Sequence, residues 1–212
     1  MMKTALDTDI YCITGEAFSR GRSNIDVVDQ MIKAGIKIIQ YREKEKNMGQ
    51  KYEECLKIRK LTQDAGVCFI VNDHVDLAMA VSADGIHVGQ DDLPVSVIRH
   101  LTGGNMIIGL STHSPAQASK AEQDGVDYIG VGPIFETRTK KDACDPVGFD
   151  YLDYVVKSVR LPFVAIGGIK QHHVPDLVMR GVGCLAMISE IVGAEHIGDT
   201  IKTIRNIMKK DR

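Results

Sequence analysis

The strongest constraint on the fold of this chain is a regular alternation of short apolar segments with longer amphipathic segments, repeated eight times. The apolar segments, such as KIIQ, CFIV and FVAIG, are nearly continuous rather than alternating in polarity. Such runs are typical of strands that are buried on both faces and pair in parallel. The predicted strands are 10–14, 36–42, 68–72, 85–88, 106–111, 128–132, 163–167 and 184–189. The predicted helices are 25–34, 51–64, 75–81, 95–101, 115–124, 151–158, 174–179 and 195–208.

Eight strand–helix units in 212 residues average about 26 residues each, at the compact end of a (β/α)₈ TIM barrel. Four connections repeat one theme, a glycine followed closely by an inner strand: AGIKIIQ, AGVCFIV, DGVDYIG and RGVGCLA. The main competing fold, an open doubly wound sheet, calls for a glycine-rich fingerprint after the first strand, and YCITGEAF holds one glycine. No linker or shift in composition divides the chain. We therefore predict a single α/β barrel domain over residues 1–212.

Composition excludes several classes of protein. The chain has 26 basic and 28 acidic residues, a net charge of −2, 5% aromatic residues and no tryptophan, which argues against a nucleic-acid binder. The apolar runs are too short to span a bilayer, and the first ten residues have no apolar signal region. The five cysteines form no C-x-x-C pair. We expect a cytoplasmic protein with reduced thiols and neither a membrane nor a nucleic-acid partner, and leave open whether it forms a homo-oligomer.

In a barrel of this kind the reactive side chains follow the C-terminal ends of the strands. The second predicted strand ends in a segment where Gln40, Arg42 and Lys44 lie two residues apart and so share one face. A solvated charge cluster is the alternative interpretation. Asp73 and Asp92 follow the third and fourth strands, and two carboxylates with substrate phosphate oxygens are the usual ligands of Mg²⁺. Either aspartate could instead cap a helix.

The later strand ends carry further polar groups. Ser111 and His113 end the fifth strand, where His113 is either an acid–base group or an ordinary loop histidine. The longest connection, 133–148, holds hydroxyl and cationic side chains that could clamp a phosphate as a closing loop, or form a mobile polar loop. Paired glycines at 167 and 168 end the seventh strand, where backbone N–H groups can approach an anion.

Taken together, these segments closely resemble the thiamine phosphate synthase family, which couples the pyrimidine and thiazole halves of thiamine. The resemblance runs in order through nearly the whole chain and implies a (β/α)₈ barrel, in agreement with the prediction above. Its motifs are QYREK (40–44), VND (71–73), HVGQDD (87–92), GLSTH (109–113), GVGPIFETRTK (130–140), AIGGI (165–169) and MIS (187–189).

The resemblance also implies a role for each matching position. The residues that would bind the aminopyrimidine diphosphate are Gln40, Tyr41, Arg42, Glu43, Lys44, Asn72, Ser111 and Lys140, of which Arg42, Lys44, Ser111 and Lys140 would be catalytic. The residues that would bind the thiazole phosphate are Thr137, Arg138, Thr139, Gly168, Ile188 and Ser189. Asp73 and Asp92 match the positions that hold one Mg²⁺ ion per site, although Asp91 stands beside Asp92.

This chemistry agrees with the residues of the chain. The attacking thiazole nitrogen has a lone pair and no proton to lose, whereas the departing diphosphate needs its growing charge neutralised. Cations and Mg²⁺ therefore matter more than a base or a nucleophile, and we expect a dissociative substitution in which the diphosphate leaves ahead of C–N bond formation.

Three alternatives remain at this point. A related thiazole tautomerase would use His113 to move a proton. A Schiff-base aldolase would need a lysine in an apolar pocket, whereas Lys140 lies in a polar loop beside Lys141. A non-catalytic sensor of phosphate ligands would keep the pocket without turnover.

Overall fold

Eight parallel strands form one closed barrel in the computed structural model, which describes residues 6, 8–137, 139 and 144–210. Each strand pairs with its neighbours in chain order, and β1 closes the barrel against β8. This confirms the predicted barrel. The strands are β1 (Ile10–Ile13), β2 (Ile38–Tyr41), β3 (Cys68–Asn72), β4 (Gly85–Val88), β5 (Ile107–Thr112), β6 (Tyr128–Val131), β7 (Phe163–Ile166) and β8 (Leu185–Met187).

The helices surround the barrel and connect successive strands. They begin where the sequence supplies capping groups: Ser23 and Asn47 accept hydrogen bonds from the backbone of the first turns of α1 and α2, and Ser114 caps α5 ahead of Pro115. The helices are α1 (Asn24–Lys33), α2 (Met48–Asp64), α3 (Val75–Ala80), α4 (Val95–Leu101), α5 (Pro115–Asp124), α6 (Gly148–Ser158), α7 (Val174–Met179), α8 (Ser189–Val192) and α9 (Ile197–Lys210).

Two apolar layers pack against the strands. Alternate side chains of each strand point to opposite faces, so Ile38 lies inside the barrel while Ile39 lies between the strands and the helices. The interior layer includes Tyr11, Ile70 and Tyr128. Because both faces are buried, the strands need apolar residues at nearly every position, which explains the continuous apolar runs.

The predicted boundaries differ from the structure at a few ends. The eighth strand was predicted to run to Ser189, but it ends at Met187, and Ser189 begins α8. The short helix α8 and two 3₁₀ turns, Glu16–Phe18 and Gln171–His173, are absent from the prediction because segments of three or four residues carry no readable period. Helix α2 begins three residues earlier than predicted because Asn47 caps it.

The five cysteines are free thiols, in agreement with the absence of paired cysteine motifs. Within the described ranges, no helix has the length and apolarity needed to cross a bilayer. A cytoplasmic location and the single-domain boundary stay predictions from the sequence.

Candidate active site

The C-terminal end of β2 carries the buried amide of Gln40 and is followed by the cation of Arg42. The Gln40 side chain, only 3% exposed, points into the barrel, where its Nε2 donates to the Tyr11 hydroxyl at 2.9 Å. The main chain of Arg42 is held by Thr14, whose Oγ1 accepts from the Arg42 N–H at 2.9 Å and donates to its carbonyl. Among the described residues, the Arg42 guanidinium has no hydrogen-bond or ion-pair partner. It is therefore available for an anionic ligand.

Lys44 links the ends of β2 and β3. Its ammonium lies 2.6 Å from Oδ2 of Asp73. Asp73 adopts a left-handed backbone conformation with φ of 62°, which aspartate tolerates better than most residues, and its N–H donates to the carbonyl of His87 at 2.9 Å. A strained backbone that the neighbouring strand holds in place is common at functional sites.

Asp73 and Asp92 meet at the mouth of the barrel. Burial raises the pKa of the Asp73 carboxyl, but the hydrogen bond and charge of Lys44 and the charge of His74 outweigh it, with the nearby Asp92 side chain also contributing, so the pKa lies below its ordinary value. Asp92 is further oriented by the Gly89 N–H, which donates to its Oδ2 at 2.7 Å. The predicted metal residues are thus brought together.

This donor set fits Mg²⁺. The ion is usually held by one or two carboxylates, with phosphate oxygens and water completing its octahedron, so a pair of interacting carboxylates at an open mouth suffices. The low pKa of Asp73 keeps that group ionised at neutral pH. In this structure the Lys44 ammonium provides the positive charge next to the Asp73 carboxylate.

Ser111 and Asn72 lie on the inner face of the barrel. Asn72 pairs in register with His87, and Nε2 of His87 lies 2.9 Å from Oγ of Ser111. Gln90 ties the loop after β4 to this strand end, because its Nε2 donates to the Ser111 carbonyl at 2.6 Å. Gln40, Asn72 and Ser111 therefore share one interior site.

The predicted thiazole phosphate residues follow β6, β7 and β8. Oγ1 of Thr137 accepts from the Thr139 N–H at 3.3 Å. A Cβ on Gly168 would lie 2.7 Å from the Phe135 carbonyl oxygen, so only glycine lets β7 approach this loop closely. Ile188 directly precedes α8, which begins at Ser189, and Nζ of Lys170 lies 3.3 Å from the Ser189 hydroxyl. Arg138, Lys140 and Lys141 lie outside the described residues.

Two predicted pyrimidine-binding side chains point away from the barrel mouth. The Tyr41 hydroxyl donates to Oε2 of Glu54 at 2.7 Å, in the layer between β2 and its helices. Glu43 accepts from Asn24 and lies in a group of three glutamates with Glu16 and Glu54, which both pair with Lys46. These two side chains therefore make their contacts away from the interior site.

His113 is held by the backbone. Its Nδ1 donates to the carbonyl of Gly132, and its own N–H donates to the Gln117 side chain. No described carboxylate contacts this imidazole, so the charge partner that a catalytic histidine normally has is missing from the described part of the site.

Three interior residues were not predicted as site residues: Tyr11, His87 and Tyr128. They connect Gln40 with Ser111 through hydrogen bonds. The available signal was a polar side chain at an inward-facing position of an otherwise apolar strand, as in GIHV and YIGV.

Comparisons with known proteins agree on one family. A family model described as thiamine monophosphate synthase matches residues 10–191. The thiamine-phosphate synthase of Pelotomaculum thermopropionicum is 64% identical over 205 residues, which span 97% of this chain and 94% of that protein. The thiamine-phosphate synthase of Lawsonia intracellularis is 54% identical over 202 residues, which span 95% and 93%.

The fold comparison points the same way. The solved thiamine phosphate pyrophosphorylase from Pyrococcus furiosus superposes with a TM-score of 0.86 at 33% identity, covering 96% of both chains. The family match covers all eight strands, and the barrel mouth gathers the cation and carboxylates that the resemblance implied. The chain therefore belongs to the thiamine monophosphate synthase family.

Proposed function

We propose that this chain joins 4-amino-2-methyl-5-hydroxymethylpyrimidine diphosphate to 4-methyl-5-(2-phosphoethyl)thiazole, forming thiamine phosphate and releasing diphosphate. The observation that carries the proposal is the grouping of Lys44, Asp73 and Asp92 at the ends of β2, β3 and β4, with Arg42 directly after β2. A site that combines positive side chains with a carboxylate pair suits a diphosphate leaving group. The named activity of the relatives supports the same reaction.

The pyrimidine diphosphate would bind across the second to fifth strand ends. Arg42 and Lys44 provide positive charge for the diphosphate, and charge-assisted hydrogen bonds of this kind are roughly twice as strong as neutral ones. Gln40, Asn72 and Ser111 line the inner face, where the ring would lie. Lys140 stays in the proposal on the resemblance alone.

Asp73 and Asp92 would hold the magnesium ion. When bound, the ion supplies positive charge to the diphosphate oxygens, which favours departure of the leaving group. The residues of the chain itself orient these two carboxylates: the Gly89 N–H holds Asp92, and the Lys44 ammonium holds Asp73 until the substrate enters.

The substitution needs no side chain that removes a proton. The methylene carbon loses diphosphate, the aminopyrimidine ring shares the positive charge that remains, and the thiazole nitrogen donates its lone pair to form the C–N bond. The ring nitrogen becomes a cation without losing a proton, so atoms and charges balance. The chain contributes neutralising cations and the fixed placement of two rings. We therefore propose that C–O cleavage runs ahead of C–N bond formation.

The thiazole phosphate would bind at the opposite side of the mouth. Thr137 and Thr139 offer hydroxyl groups, and the close approach of Gly168 to the Phe135 carbonyl shapes the adjoining wall. Ile188 and Ser189 complete this side from β8. Arg138 is included because the resemblance implies it.

One assay tests the reaction. The protein is mixed with the pyrimidine diphosphate, the thiazole phosphate and MgCl₂, and the release of diphosphate is followed with and without EDTA. We expect release that requires both substrates and stops when the metal is chelated. Full activity in EDTA would contradict the metal proposal. A lack of product under every condition would contradict the activity itself, and it is the result expected of a sensor that only binds its ligands.

A matched pair of variants locates the metal ligand. We expect Asp92→Asn to lower kcat/KM by about 100-fold or more at low Mg²⁺, with partial recovery at high Mg²⁺, because a carboxylate ligand is lost. Asp91→Asn removes the same charge from the adjacent exposed residue and should change kcat/KM by less than about threefold. The reverse order would assign the metal to Asp91.

The tautomerase alternative gains no support from the geometry of His113. Its Nδ1 donates its proton to the Gly132 carbonyl, and no described carboxylate contacts the imidazole. The aldolase alternative depends on Lys140, which lies outside the described residues, and borohydride trapping with a carbonyl substrate tests it.

A further inference from the structure

Five polar side chains form a continuous hydrogen-bonded path across the interior of the barrel, which we call the interior network. Its members are Gln40, Tyr11, Tyr128, His87 and Ser111. Nε2 of Gln40 lies 2.9 Å from the Tyr11 hydroxyl, and the two tyrosine hydroxyls lie 2.8 Å apart. Nδ1 of His87 lies 3.0 Å from the Tyr128 hydroxyl, and its Nε2 lies 2.9 Å from Oγ of Ser111. The two ends of the path are both proposed substrate-binding residues.

The network is buried in apolar surroundings. Tyr11 is 2% exposed and Tyr128 is fully buried, and Ile38, Ile70 and Val164 pack around them. Burial raises the pKa of both phenols well above the ordinary value, so each keeps its proton at neutral pH. An unpaired O–H group in such a place is costly, and each phenol proton therefore requires an acceptor.

The strands are shaped to admit this path. Gly109 of β5 pairs in register with His87 on one side and with Tyr128 on the other. A Cβ at Gly109 would overlap the Tyr128 ring and approach Nδ1 of His87 at 2.5 Å. Gly130 leaves similar room, since a Cβ there would lie 3.3 Å from the His87 ring. Because Gly109 and Gly130 have no side chains, the rings of His87 and Tyr128 can approach each other.

The amide of Gln40 sets the direction of every bond in the network. Its Nε2 can only donate, so the Tyr11 oxygen accepts and the Tyr11 proton goes to Tyr128, its only other hydrogen-bond partner among the described residues. The Tyr128 proton then goes to Nδ1 of His87. A neutral imidazole with an accepting Nδ1 carries its proton on Nε2, and that proton is donated to Ser111.

We propose that Tyr11, Tyr128 and His87 are positioning residues that make the Ser111 hydroxyl a hydrogen-bond donor toward the pyrimidine substrate. Because Ser111 accepts from His87, its own proton points to an acceptor atom of the bound pyrimidine diphosphate. The reverse direction would leave the Tyr11 proton without an acceptor in the described interior. The substrate part of this proposal rests on the proposed function, whereas the direction of the network does not.

The direction can be measured in the resting protein. Long-range ¹H–¹⁵N correlation spectra of ¹⁵N-histidine-labelled protein distinguish the two neutral tautomers and the imidazolium of His87, which is assigned by the loss of its signals in His87→Gln. We expect the neutral form with the proton on Nε2. A proton on Nδ1, or a charged ring at neutral pH, would overturn the proposed direction whether or not the protein makes thiamine phosphate.

A matched pair of tyrosine variants tests the role of the network. In Tyr128→Phe the ring stays while the bond to His87 is lost, so we expect a mixture of His87 tautomers and a kcat/KM for the pyrimidine diphosphate about 10- to 100-fold lower. The KM for the thiazole phosphate should stay within about twofold. Tyr151→Phe is the control, because this buried hydroxyl donates to Thr112 outside the network. It should leave both the tautomer and the kinetics unchanged.

Combination with Ser111→Ala decides whether Tyr128 acts through Ser111. We expect Tyr128→Phe to lower kcat/KM by less than about twofold when Ser111 is already alanine, since the hydroxyl that it orients is gone. An equal loss in both backgrounds, or wild-type kinetics in Tyr128→Phe, would overturn the positioning role. Circular dichroism and thermal unfolding of each variant separate these outcomes from a loss of folding, and an inactive wild-type protein would count against the proposed function alone.

Discussion

Two cationic residues at the mouth of the barrel differ in what they contact. Lys44 is paired with Asp73, whereas Arg42 has no side-chain partner among the described residues. The contact of Lys44 with Asp73 therefore affects the charge state of the site, whereas the side chain of Arg42 adds little to the stability of the fold. These two arrangements lead to different predictions.

We expect the pKa of Asp73 to depend on Lys44. In the wild-type protein this pKa lies below the ordinary value of about 3.9, because Lys44 outweighs the effect of burial. Lys44→Met should raise it, as measured by ¹³C NMR of the carboxyl carbon. Lys60→Met removes an exposed lysine paired with Asp64 and should leave the Asp73 pKa unchanged.

The same pair predicts a small pH effect on stability. A carboxyl group whose pKa is lower in the folded state stabilises the fold above its unfolded pKa, and that contribution is lost as the pH falls through the folded value. Because Lys44 is half exposed, we expect Lys44→Met to lower the free energy of unfolding by less than about 1 kcal/mol at pH 7. Urea unfolding should show the difference begin to shrink below about pH 3.9 and vanish only below the lower folded-state pKa of Asp73, and a difference that grows in acid would contradict the assignment.

Arg42→Ala should reduce catalysis and leave the fold intact. Since the guanidinium has no described partner, we expect the free energy of unfolding to change by less than about 0.5 kcal/mol. Without the guanidinium, part of the negative charge on the departing diphosphate would not be neutralised, so kcat/KM should fall about 100-fold or more. We expect the same direction for Lys140→Ala.

Arg180→Ala provides the opposite control. Arg180 pairs with Asp153 at 2.6 Å and its guanidinium stacks 4.0 Å from the centre of the Phe149 ring, so this substitution should lower stability and leave kcat/KM unchanged in the folded protein. Unaltered turnover in Arg42→Ala would remove Arg42 from the diphosphate site.

At the scale of a single strand, β5 shows how a missing side chain can be functional. Gly109 lies between His87 and Tyr128 in the register, and its two neighbours fill the space that a side chain would take. The glycine is therefore required by the contacts of β5 with the adjacent strands, and no turn or unusual backbone angle is involved.

We expect Gly109→Ala to lower the free energy of unfolding by about 1–3 kcal/mol, because overpacking displaces the two rings. It should also lower kcat/KM, since Ser111 loses its contact with His87. Gly198→Ala is the control: nothing lies within 4 Å of the added Cβ, and Gly198 lies in α9, where alanine should be neutral or slightly stabilising. Chemical unfolding and the diphosphate assay give both quantities, and wild-type behaviour of Gly109→Ala would contradict the described packing.

In the molecule as a whole, the two ends of the barrel have different roles. At the N-terminal end, Asp9, Asp84 and Asp127 each precede a strand, and arginines of the surrounding helices bind them. Asp84 and Asp127 also accept backbone N–H groups of the adjacent strand. This end fastens helices to strands, while the C-terminal end carries the proposed chemistry.

Arg99→Ala should therefore reduce stability without changing the reaction. Arg99 donates to Oδ2 of Asp127 at 2.6 Å and to the carbonyls of Met106 and Gly125, and we expect its loss to cost about 1–2 kcal/mol of unfolding free energy. Lys120→Ala, which removes an exposed pair with Asp124 within α5, should cost less than about 0.5 kcal/mol. A fall in kcat/KM of folded Arg99→Ala would show that the two ends are coupled.

Much of this architecture could be predicted from the sequence. The continuous apolar runs and their spacing predict parallel strands in a barrel, and the rule that chemistry follows strand ends brings Gln40, Asp73 and Ser111 to one rim. The side to which Tyr41 and Glu43 point could not be predicted, because their position in a motif next to Gln40 and Arg42 says nothing about the helices that contact them.

The sequence by itself determined the order of strands and helices and the rim at which polar side chains collect, because strand periodicity and strand ends are local properties of the chain. The tertiary structure alone decided which inward-facing residues touch. The hydroxyls of Tyr11 and Tyr128 meet across 117 positions of sequence, and the register between β4, β5 and β6 places His87 beside Gly109. Those contacts depend on the closure of the barrel, since strands that are far apart in sequence become neighbours across its interior only when β1 pairs with β8.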